Sequence, residues 1–130
     1  MCTVTALPRS LLSHGASAAP LLLRVAHNRD ERLTRAAALP PTMWAAGSRR
    51  VLMPIDPESG GTWIAANDAG VVFALLNASP GTSLQTTNLS APLLSRGAII
   101  PSLVESATVS DALARVEQLH VERYAPFRLL

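Results

Sequence analysis

Residues 60–77 read GGTWIAANDAGVVFALLN, and they carry the clearest structural signal in the chain. Two runs rich in apolar residues, 62–66 and 70–76, are joined by the turn sequence Asn-Asp-Ala-Gly. Asn, Asp and Gly tolerate the positive φ angles that hairpin turns require. The second run, VVFALL, is almost continuously apolar, which is typical of a strand covered on both faces. This stretch therefore predicts an antiparallel β-hairpin with a buried second strand.

The sequence before this hairpin predicts further strands and their connections. Residues 2–7 and 21–26 are rich in Val, Leu and Thr, and the Pro/Ser/His/Gly stretch between them predicts a hairpin with a long loop. The polar sequence HNRDERLTR at 27–35 is expected to be a loop, and 36–41 an Ala/Pro linker. A strand is predicted around 50–53, before the turn cluster PIDPESGG.

The last third of the chain has helical character. Ser90 is a candidate N-cap for a helix that runs to about Ser102, and Pro101 indicates that this helix stops early. Thr108 begins a second helix with a capping-box-like sequence, in which Asp111 takes the place of the usual Glu or Gln.

The second helix is expected to carry an apolar stripe formed by Leu113, Val116 and Leu119. The sequence FRLL at 127–130 follows a break at Tyr-Ala-Pro and predicts the beginning of another strand. Strands followed by helices indicate the α+β class, within a single domain spanning residues 1–130.

Composition limits the classes of function. The 130 residues are 48% hydrophobic and 15% charged, which is typical of a soluble globular domain. All eleven basic residues are arginine, the formal net charge is only +2 and no basic stripe is interleaved with aromatic residues, so no nucleic-acid partner is expected. A single cysteine excludes an internal disulfide. The wide spacing of His14, His27 and His120 argues against a metal centre, and no cofactor is expected.

The sequence does not predict a membrane span. No stretch approaches the roughly 20 apolar residues that a span needs, so no stable membrane insertion is expected. The stretch from Arg9 through LLSHGASAAPLLL resembles a signal peptide in its basic residue, apolar run and small residues. However, His14, Gly15 and two serines interrupt the run, and a cleaved signal would remove Cys2. We therefore expect a cytoplasmic protein, with secretion as the alternative.

The only cysteine, Cys2, follows the initiator methionine. If Met1 is removed, Cys2 carries both a thiol and a free α-amine. An α-amino group titrates at about 7.7–8.0, so it can accept the thiol proton near neutral pH. One residue then supplies nucleophile and base, as in catalysis by amino-terminal residues. The alternative is that Cys2 is a small hydrophobic residue at the start of a strand, and its position alone favours that interpretation.

The tetrapeptide Asn28-Arg29-Asp30-Glu31 has two interpretations. It is either a solvated turn, in which each exposed ion pair contributes about 0–1 kcal/mol, or part of a site. The loop follows the strand that is expected to pair with residues 2–7, so an antiparallel hairpin would return it to the amino terminus. There Asp30 could orient the α-ammonium and Arg29 could stabilise a thiolate.

Gly60-Gly61-Thr62-Trp63 and Asn77 form the third candidate feature. Two glycines before a strand permit unusual dihedral angles or a close backbone approach, and Trp63 could also belong to the core. Asn77 ends the VVFALL strand, where its backbone N–H and side-chain amide could stabilise an oxyanion. An Asn that opens a turn before Ser-Pro explains the same position equally well.

These motifs occur together in an order that resembles the NRDE family, whose eukaryotic members are named transport and Golgi organisation proteins. The segments that carry the resemblance are Met-Cys-Thr-Val at 1–4, HNRDER at 27–32, GGTWIAAN at 60–67, LLN at 75–77, SRG at 95–97 and APF at 125–127. The resemblance extends through all 130 residues, and NRDE behind a Met-Cys start, followed by GGTW, is its most specific combination.

The resemblance implies an N-terminal-nucleophile hydrolase fold, an αββα sandwich with two stacked antiparallel sheets between helical layers. The family is similar in its N-terminal motif to choloylglycine hydrolases and penicillin V acylases, which are amidases with an N-terminal cysteine. The resemblance implies that Cys2 is both the nucleophile and the base, and that Asp30 is the partner of its α-amine. It further implies that Asn28 is an orienting neighbour and that the backbone N–H of Asn77 is an oxyanion donor. The expected substrate is a small molecule with a linear amide bond.

The chain departs from those amidases in two respects. Position 27 is histidine where they have arginine, and Arg29 is the candidate to replace it. The chain also corresponds to only the N-terminal half of the expected domain. We therefore expect a truncated domain, with an inactive fragment as an alternative. The resemblance also allows a non-catalytic role in binding or trafficking, through haem or lipid handling, with an apolar small-molecule ligand.

Overall fold

The computed structural model describes residues 2–8, 23–78 and 92–130. Within these ranges the chain forms seven strands and two α-helices. They are β1 (Thr3–Pro8), β2 (Leu23–Asn28), β3 (Leu39–Ala46), β4 (Arg49–Ile55), β5 (Ile64–Asn67), β6 (Val72–Asn77), α1 (Ile99–Leu103), α2 (Val109–Glu117) and β7 (Phe127–Leu129). Short 3-10 turns at Arg96–Ala98 and Val121–Arg123 precede α1 and β7.

The strands form two antiparallel sheets, and the α+β class is therefore confirmed. One sheet is the β1–β2 pair, and the other has the strand order β3-β4-β5-β6-β7. Two α-helices are present, α1 and α2. The helix predicted from Ser90 to about Ser102 is wrong in its extent, because residues 92–98 are not α-helical. Pro101 does not end it, because α1 runs from Ile99 to Leu103. No helix in the described part of the chain has the length and apolar character that crossing a membrane requires.

The central hairpin forms as its sequence predicts. β5 and β6 pair antiparallel, with Ile64 opposite Ala74 and Ala66 opposite Val72. Gly70 has a φ of 82° in the connecting turn, a conformation that only glycine adopts without strain. Residues 73–75 of β6 are all buried, in agreement with the prediction of a strand covered on both faces.

The prediction of a linker at 36–41 is wrong, because β3 begins at Leu39. β3 pairs with β4 and is the edge strand of the five-stranded sheet. A register shift lies between Leu39 and Thr42, where the two prolines occur. Proline cannot donate to a sheet ladder, so it is tolerated at an edge strand or a bulge, and here both conditions hold.

The first predicted hairpin is confirmed, with a shifted boundary. β1 and β2 pair antiparallel from Thr3 opposite Asn28 to Pro8 opposite Leu23. β2 therefore continues through two residues, His27 and Asn28, that the sequence assigned to the following loop. The long connection at 9–22 lies outside the described residues, and so does the predicted helix start at Ser90.

The helices pack on one face of the five-stranded sheet. α1 begins at Ile99, and Pro101 lies in its first turn, where the missing N–H causes no loss. The core on this face contains Ile99, Ile100 and Leu103 of α1 together with Val51 and Phe73 of the sheet.

The apolar stripe predicted for α2 is partly wrong. Leu113 is 58% exposed, whereas Ala112 is buried and Val116 and Leu119 pack against the core. The positions that contact the core follow the spacing i, i+4, i+7 from Ala112, so Ala112 takes the place of Leu113 in the predicted stripe. The predicted start is confirmed, because the Thr108 side chain accepts a hydrogen bond from the Asp111 N–H.

The opposite face of the five-stranded sheet borders the β1–β2 pair. Leu23 and Val25 of β2 line an apolar groove of about 270 Å³ with sheet residues that include Leu52, Pro54 and Val72. Because side chains alternate between the faces of a strand, Leu52 lies on the face opposite to Val51 and the helical core. The two sheets thus meet along β2.

Candidate active site

A polar cleft of about 270 Å³ lies where the ends of β2 and β6 approach the residue before β1. Four of the five site residues expected from the sequence line this cleft: Cys2, Arg29, Asp30 and Asn77. The fifth, Asn28, is an exposed residue of β2 opposite Thr3 and is not among the described residues that line the cleft. The fold therefore brings together residues that are separated by up to 75 positions in the sequence.

Cys2 and Asp30 meet because of the β1–β2 register. Thr3 lies opposite Asn28, so the residues just before β1 and just after β2 are neighbours. The Asp30 backbone N–H donates to Cys2 Sγ at 3.4 Å, and Sγ lies 3.6 Å from the Asp30 carbonyl oxygen. The half-buried sulfur thus contacts both the backbone N–H and the carbonyl oxygen of Asp30.

Arg29 is held by neighbours other than Cys2. Its Nη2 lies 3.0 Å from Asp56 Oδ2 and 3.3 Å from Glu31 Oε2. Its guanidinium carbon also lies 4.5 Å from the ring centroid of Trp63, which is a cation–π distance. Arg29 therefore connects the loop after β2 to the turn before β5. The expectation that Arg29 acts on the thiol stays a prediction.

Asp56 is the centre of an ion-pair network that the sequence analysis did not identify. Arg35 Nη2 lies 2.6 Å from Asp56 Oδ2, and the Glu58 backbone N–H donates to Asp56 Oδ1 at 3.0 Å. Burial by itself raises the pKa of Asp56, but the hydrogen bonds from Arg35 and Glu58 and the charges of Arg35 and Arg29 outweigh it, so the pKa is below its usual value. The only sequence signal for Asp56 is its place in the turn cluster PIDPESGG.

Two glycines allow the floor of the cleft to close. A Cβ added to Gly61 would lie 2.6 Å from the backbone of Gly97, a distance that real Cβ atoms do not tolerate. The Thr62 N–H donates to the Gly97 carbonyl at 3.1 Å. The expected close backbone approach is thus present at Gly61, and the unusual dihedral angle is present at Gly60, whose φ is 67°. This contact brings the segment Ser-Arg-Gly at 95–97 to the cleft.

Asn77 lies at the end of β6, and its backbone direction follows from strand geometry. The Ala78 N–H donates to Pro126 on the β7 side, whereas the Leu75 N–H donates to the Trp63 carbonyl on the β5 side. Backbone groups alternate between the two sides of a strand, so the Asn77 N–H is directed to the same side as that of Leu75. β5 begins only at Ile64, and the cleft lies beyond its end.

The family resemblance aligns His27 with an arginine of amidases that have an N-terminal cysteine. Its Nε2 donates to the Leu75 carbonyl at 3.0 Å and ties β2 to β6. Its Nδ1 is buried and has no hydrogen-bond partner within the described ranges. His27 is not among the described residues that line the cleft. In this structure it joins the two sheets.

The described residues include no group of three or more His, Cys, Asp or Glu side chains that could hold a metal ion. The residues that line the cleft offer a thiol, carboxylates, guanidinium groups, backbone donors and the hydroxyls of Ser59, Thr62 and Ser95. This set suits acyl transfer, in which a nucleophile attacks a carbonyl and donors stabilise the oxyanion.

The fold and cleft define an α+β protein with antiparallel sheets and a polar site that includes a cysteine. The family model described as Transport and Golgi organisation 2 matches residues 11–130. The chain belongs to this family, and the NRDE resemblance is confirmed. The match begins after Cys2, so the family assignment does not depend on the cysteine. Comparison with curated proteins gives no match, and comparison with solved structures gives none either.

Proposed function

We propose that this protein is a cysteine amidohydrolase that cleaves a linear amide C–N bond, with Cys2 as an N-terminal nucleophile after removal of Met1. The observation that carries the proposal is the contact of Cys2 Sγ with the Asp30 backbone, in a cleft that Asn77 also lines. A cysteine that served only as packing at a strand start would not require a polar cleft around its sulfur.

The proposed reaction uses groups already placed at the cleft. The α-amine of Cys2 accepts the thiol proton, and the thiolate attacks the amide carbonyl carbon. The Asn77 N–H stabilises the resulting oxyanion, and the Asp30 carboxylate orients the α-ammonium. The ammonium returns its proton to the leaving nitrogen as the C–N bond breaks, which leaves a thioester on Cys2. Water then attacks the thioester, releases the acid and restores the thiol.

The N-terminal-nucleophile fold, with its αββα sandwich, is part of this proposal. Its support is the meeting of the β1–β2 pair with the five-stranded sheet along β2, and the helices on the other face of that sheet. The resemblance of the Met-Cys start and the NRDE loop to amidases with an N-terminal cysteine points the same way. Asn28 is proposed as a structural neighbour that continues β2 into this loop.

The proposal is tested by the reactivity of Cys2 in the chain from which Met1 has been removed. We expect the rate constant for alkylation by iodoacetamide at pH 7 to exceed that of a cysteine in an unstructured peptide. We expect Asp30→Asn to lower it, because the α-amine loses its orienting carboxylate. Glu117→Gln is the matched control, since Glu117 is exposed on α2 and its substitution removes an equal charge. Reactivity equal to that of the peptide, or retention of Met1, would contradict the proposal.

A second candidate function is non-catalytic binding of an apolar small molecule, with a role in trafficking. The observation that favours it is the apolar groove along β2, lined by residues that include Leu23, Val25 and Leu52. Spectral titration with haem separates it from the first. A saturable shift that Val25→Asp in the groove abolishes, in a protein whose Cys2 reacts no faster than a free thiol, would favour binding over hydrolysis.

A further inference from the structure

Three arginines line the polar cleft, and they differ in what neutralises them. Arg29 and Arg35 both contact Asp56, and both also lie within 4 Å of Glu31. Arg96 takes part in none of the ion pairs found among residues 2–8, 23–78 and 92–130. Its hydrogen bond is to a neutral group, from Nη1 to the Pro126 carbonyl at 2.9 Å.

The position of Arg96 is fixed by the surrounding backbone. It begins the 3-10 turn at Arg96–Ala98, and the next residue, Gly97, accepts the hydrogen bond from Thr62. The bond to Pro126 holds one side of the guanidinium, which has five N–H donors in a rigid plane. The residue is half-buried and lines the same cleft as Cys2 and Asn77. A half-buried cation without a carboxylate partner is a site for an anion, because a paired charge is far less costly to bury than an unpaired one.

The acidic residues of the cleft have partners other than Arg96. Asp56 and Glu31 are bound by Arg29 and Arg35. Asp30, in the proposed reaction, serves the α-ammonium of Cys2. Arg96 is then the arginine of the cleft lining that no carboxylate of the described residues neutralises.

We propose that Arg96 is a specificity-determining residue that binds a carboxylate of the substrate, so that the preferred substrate is an amide that also carries a carboxylate. This inference rests on the proposed function for the identity of the reacting group. Planar pairing with two parallel N–H donors is the geometry that guanidinium and carboxylate groups prefer. Such a contact would hold the scissile carbonyl in reach of Cys2.

The test compares two alkylating reagents that differ in charge. Iodoacetate and iodoacetamide both form a new S–C bond at Cys2 as the C–I bond breaks and iodide leaves, but only iodoacetate carries a carboxylate. The measured quantity is the ratio of their rate constants, iodoacetate over iodoacetamide, at low ionic strength. We expect Arg96→Gln to lower this ratio about fivefold or more, and Arg96→Lys to retain part of it.

Arg24→Gln is the matched control, because it removes one positive charge from an exposed position on β2 that does not line the cleft. It should leave the ratio within about twofold of the parent value. An unchanged ratio in Arg96→Gln would overturn the inference. If that variant does not fold, the parent protein decides: a ratio equal to that of a cysteine peptide overturns the inference, and a higher one supports it.

The two proposals fail separately in this experiment. A slow reaction of the parent with iodoacetamide contradicts the proposal that Cys2 is an activated nucleophile, whatever the ratio of the two rate constants. If the reaction with iodoacetamide is fast but the ratio of rate constants does not depend on Arg96, the proposal for Cys2 stands. The proposal that Arg96 binds a carboxylate is then overturned.

Discussion

Asp56 shows how a single residue organises the region around the cleft. Its carboxylate is almost fully buried and is shared by Arg29 and Arg35, which follow β2, while Asp56 itself follows β4. Burial of a carboxylate is costly unless partners surround it, and here two guanidinium groups and a backbone N–H do so. The network holds the loop that carries Asp30, so it helps to position Asp30 without itself contacting Cys2.

This carboxylate gives the protein a specific dependence of stability on pH. The pKa of Asp56 is lower in the folded protein than in the unfolded chain, where it is about 3.9. Its stabilising contribution is therefore fully present above that unfolded value and is lost as the pH falls through the lower, folded value. We expect Asp56→Asn to reduce the free energy of unfolding at pH 7 by about 1.5–3 kcal/mol. The difference from the parent should shrink below about pH 4.

Urea denaturation of the parent and Asp56→Asn across the acidic range measures this directly. Glu117→Gln serves as the control for loss of an exposed carboxylate. Stability curves for the parent and Asp56→Asn that stay parallel down to the lowest pH would show that the Asp56 network contributes nothing that protonation can remove.

At the scale of elements, the contact between the turn before β5 and the turn before α1 depends on the absence of side chains. We predict that Gly61→Ala lowers the free energy of unfolding by about 1–3 kcal/mol, because its Cβ would overlap the Gly97 backbone. Gly97→Ala should cost less, since its Cβ would lie 3.1 Å from the Gly61 Cα. Thermal unfolding of both variants checks the order. The reverse order would contradict the packing described at this contact.

The start of α2 supplies a second prediction at this scale. Thr108 accepts from the Asp111 N–H at 3.1 Å, and the Asp111 carboxylate accepts from the Ala107 N–H at 2.9 Å. Thr108→Ala is expected to lower the free energy of unfolding by about 1 kcal/mol, and Thr108→Ser by clearly less, because serine keeps the hydroxyl acceptor. Chemical denaturation measures both. Equal losses in the two variants would mean that the methyl group, and not the hydroxyl, matters here.

Local sequence predicted the elements whose structure depends on local chemistry. The NDAG turn, the Thr108 cap and the Val/Leu/Thr-rich runs of β1 and β2 each act over a few residues, and each is confirmed. β3 was missed because two prolines indicate a break, and only its place at the sheet edge makes them acceptable. Leu113 was wrongly assigned to the contact face of α2 because it is apolar, yet it is exposed.

At the scale of the whole molecule, the site is predictable only where pairing of neighbouring strands creates it. Cys2 meets Asp30 because β1 and β2 form a hairpin, which the sequence indicates. Asp56 and Arg96 were not identified, because they reach the cleft through the ion-pair network and the Gly61–Gly97 approach. Such contacts between distant segments leave no periodic signal in the sequence.

Asn67 joins distant parts of the molecule in a similar way. Its Nδ2 donates to the carbonyls of Val104 and Ser106, and its Oδ1 accepts from the N–H groups of Ala69 and Val71. We expect Asn67→Ala to lower the free energy of unfolding by about 2–4 kcal/mol, since three buried backbone groups and one partly buried one lose a partner. Asn67→Asp, which keeps the acceptor but loses the donor, should also destabilise the protein. A change below about 0.5 kcal/mol in either variant, measured by chemical denaturation, would contradict this role.

The central claim is that Cys2 is a freed, reactive amino terminus at the mouth of the cleft. The most direct measurement is the intact mass of the purified chain before and after brief exposure to iodoacetamide at neutral pH. We predict a mass that lacks one methionine residue, followed by the gain of a single carbamidomethyl group. A chain that retains Met1, or whose only thiol stays unmodified when a cysteine peptide in the same solution has reacted, would contradict the account.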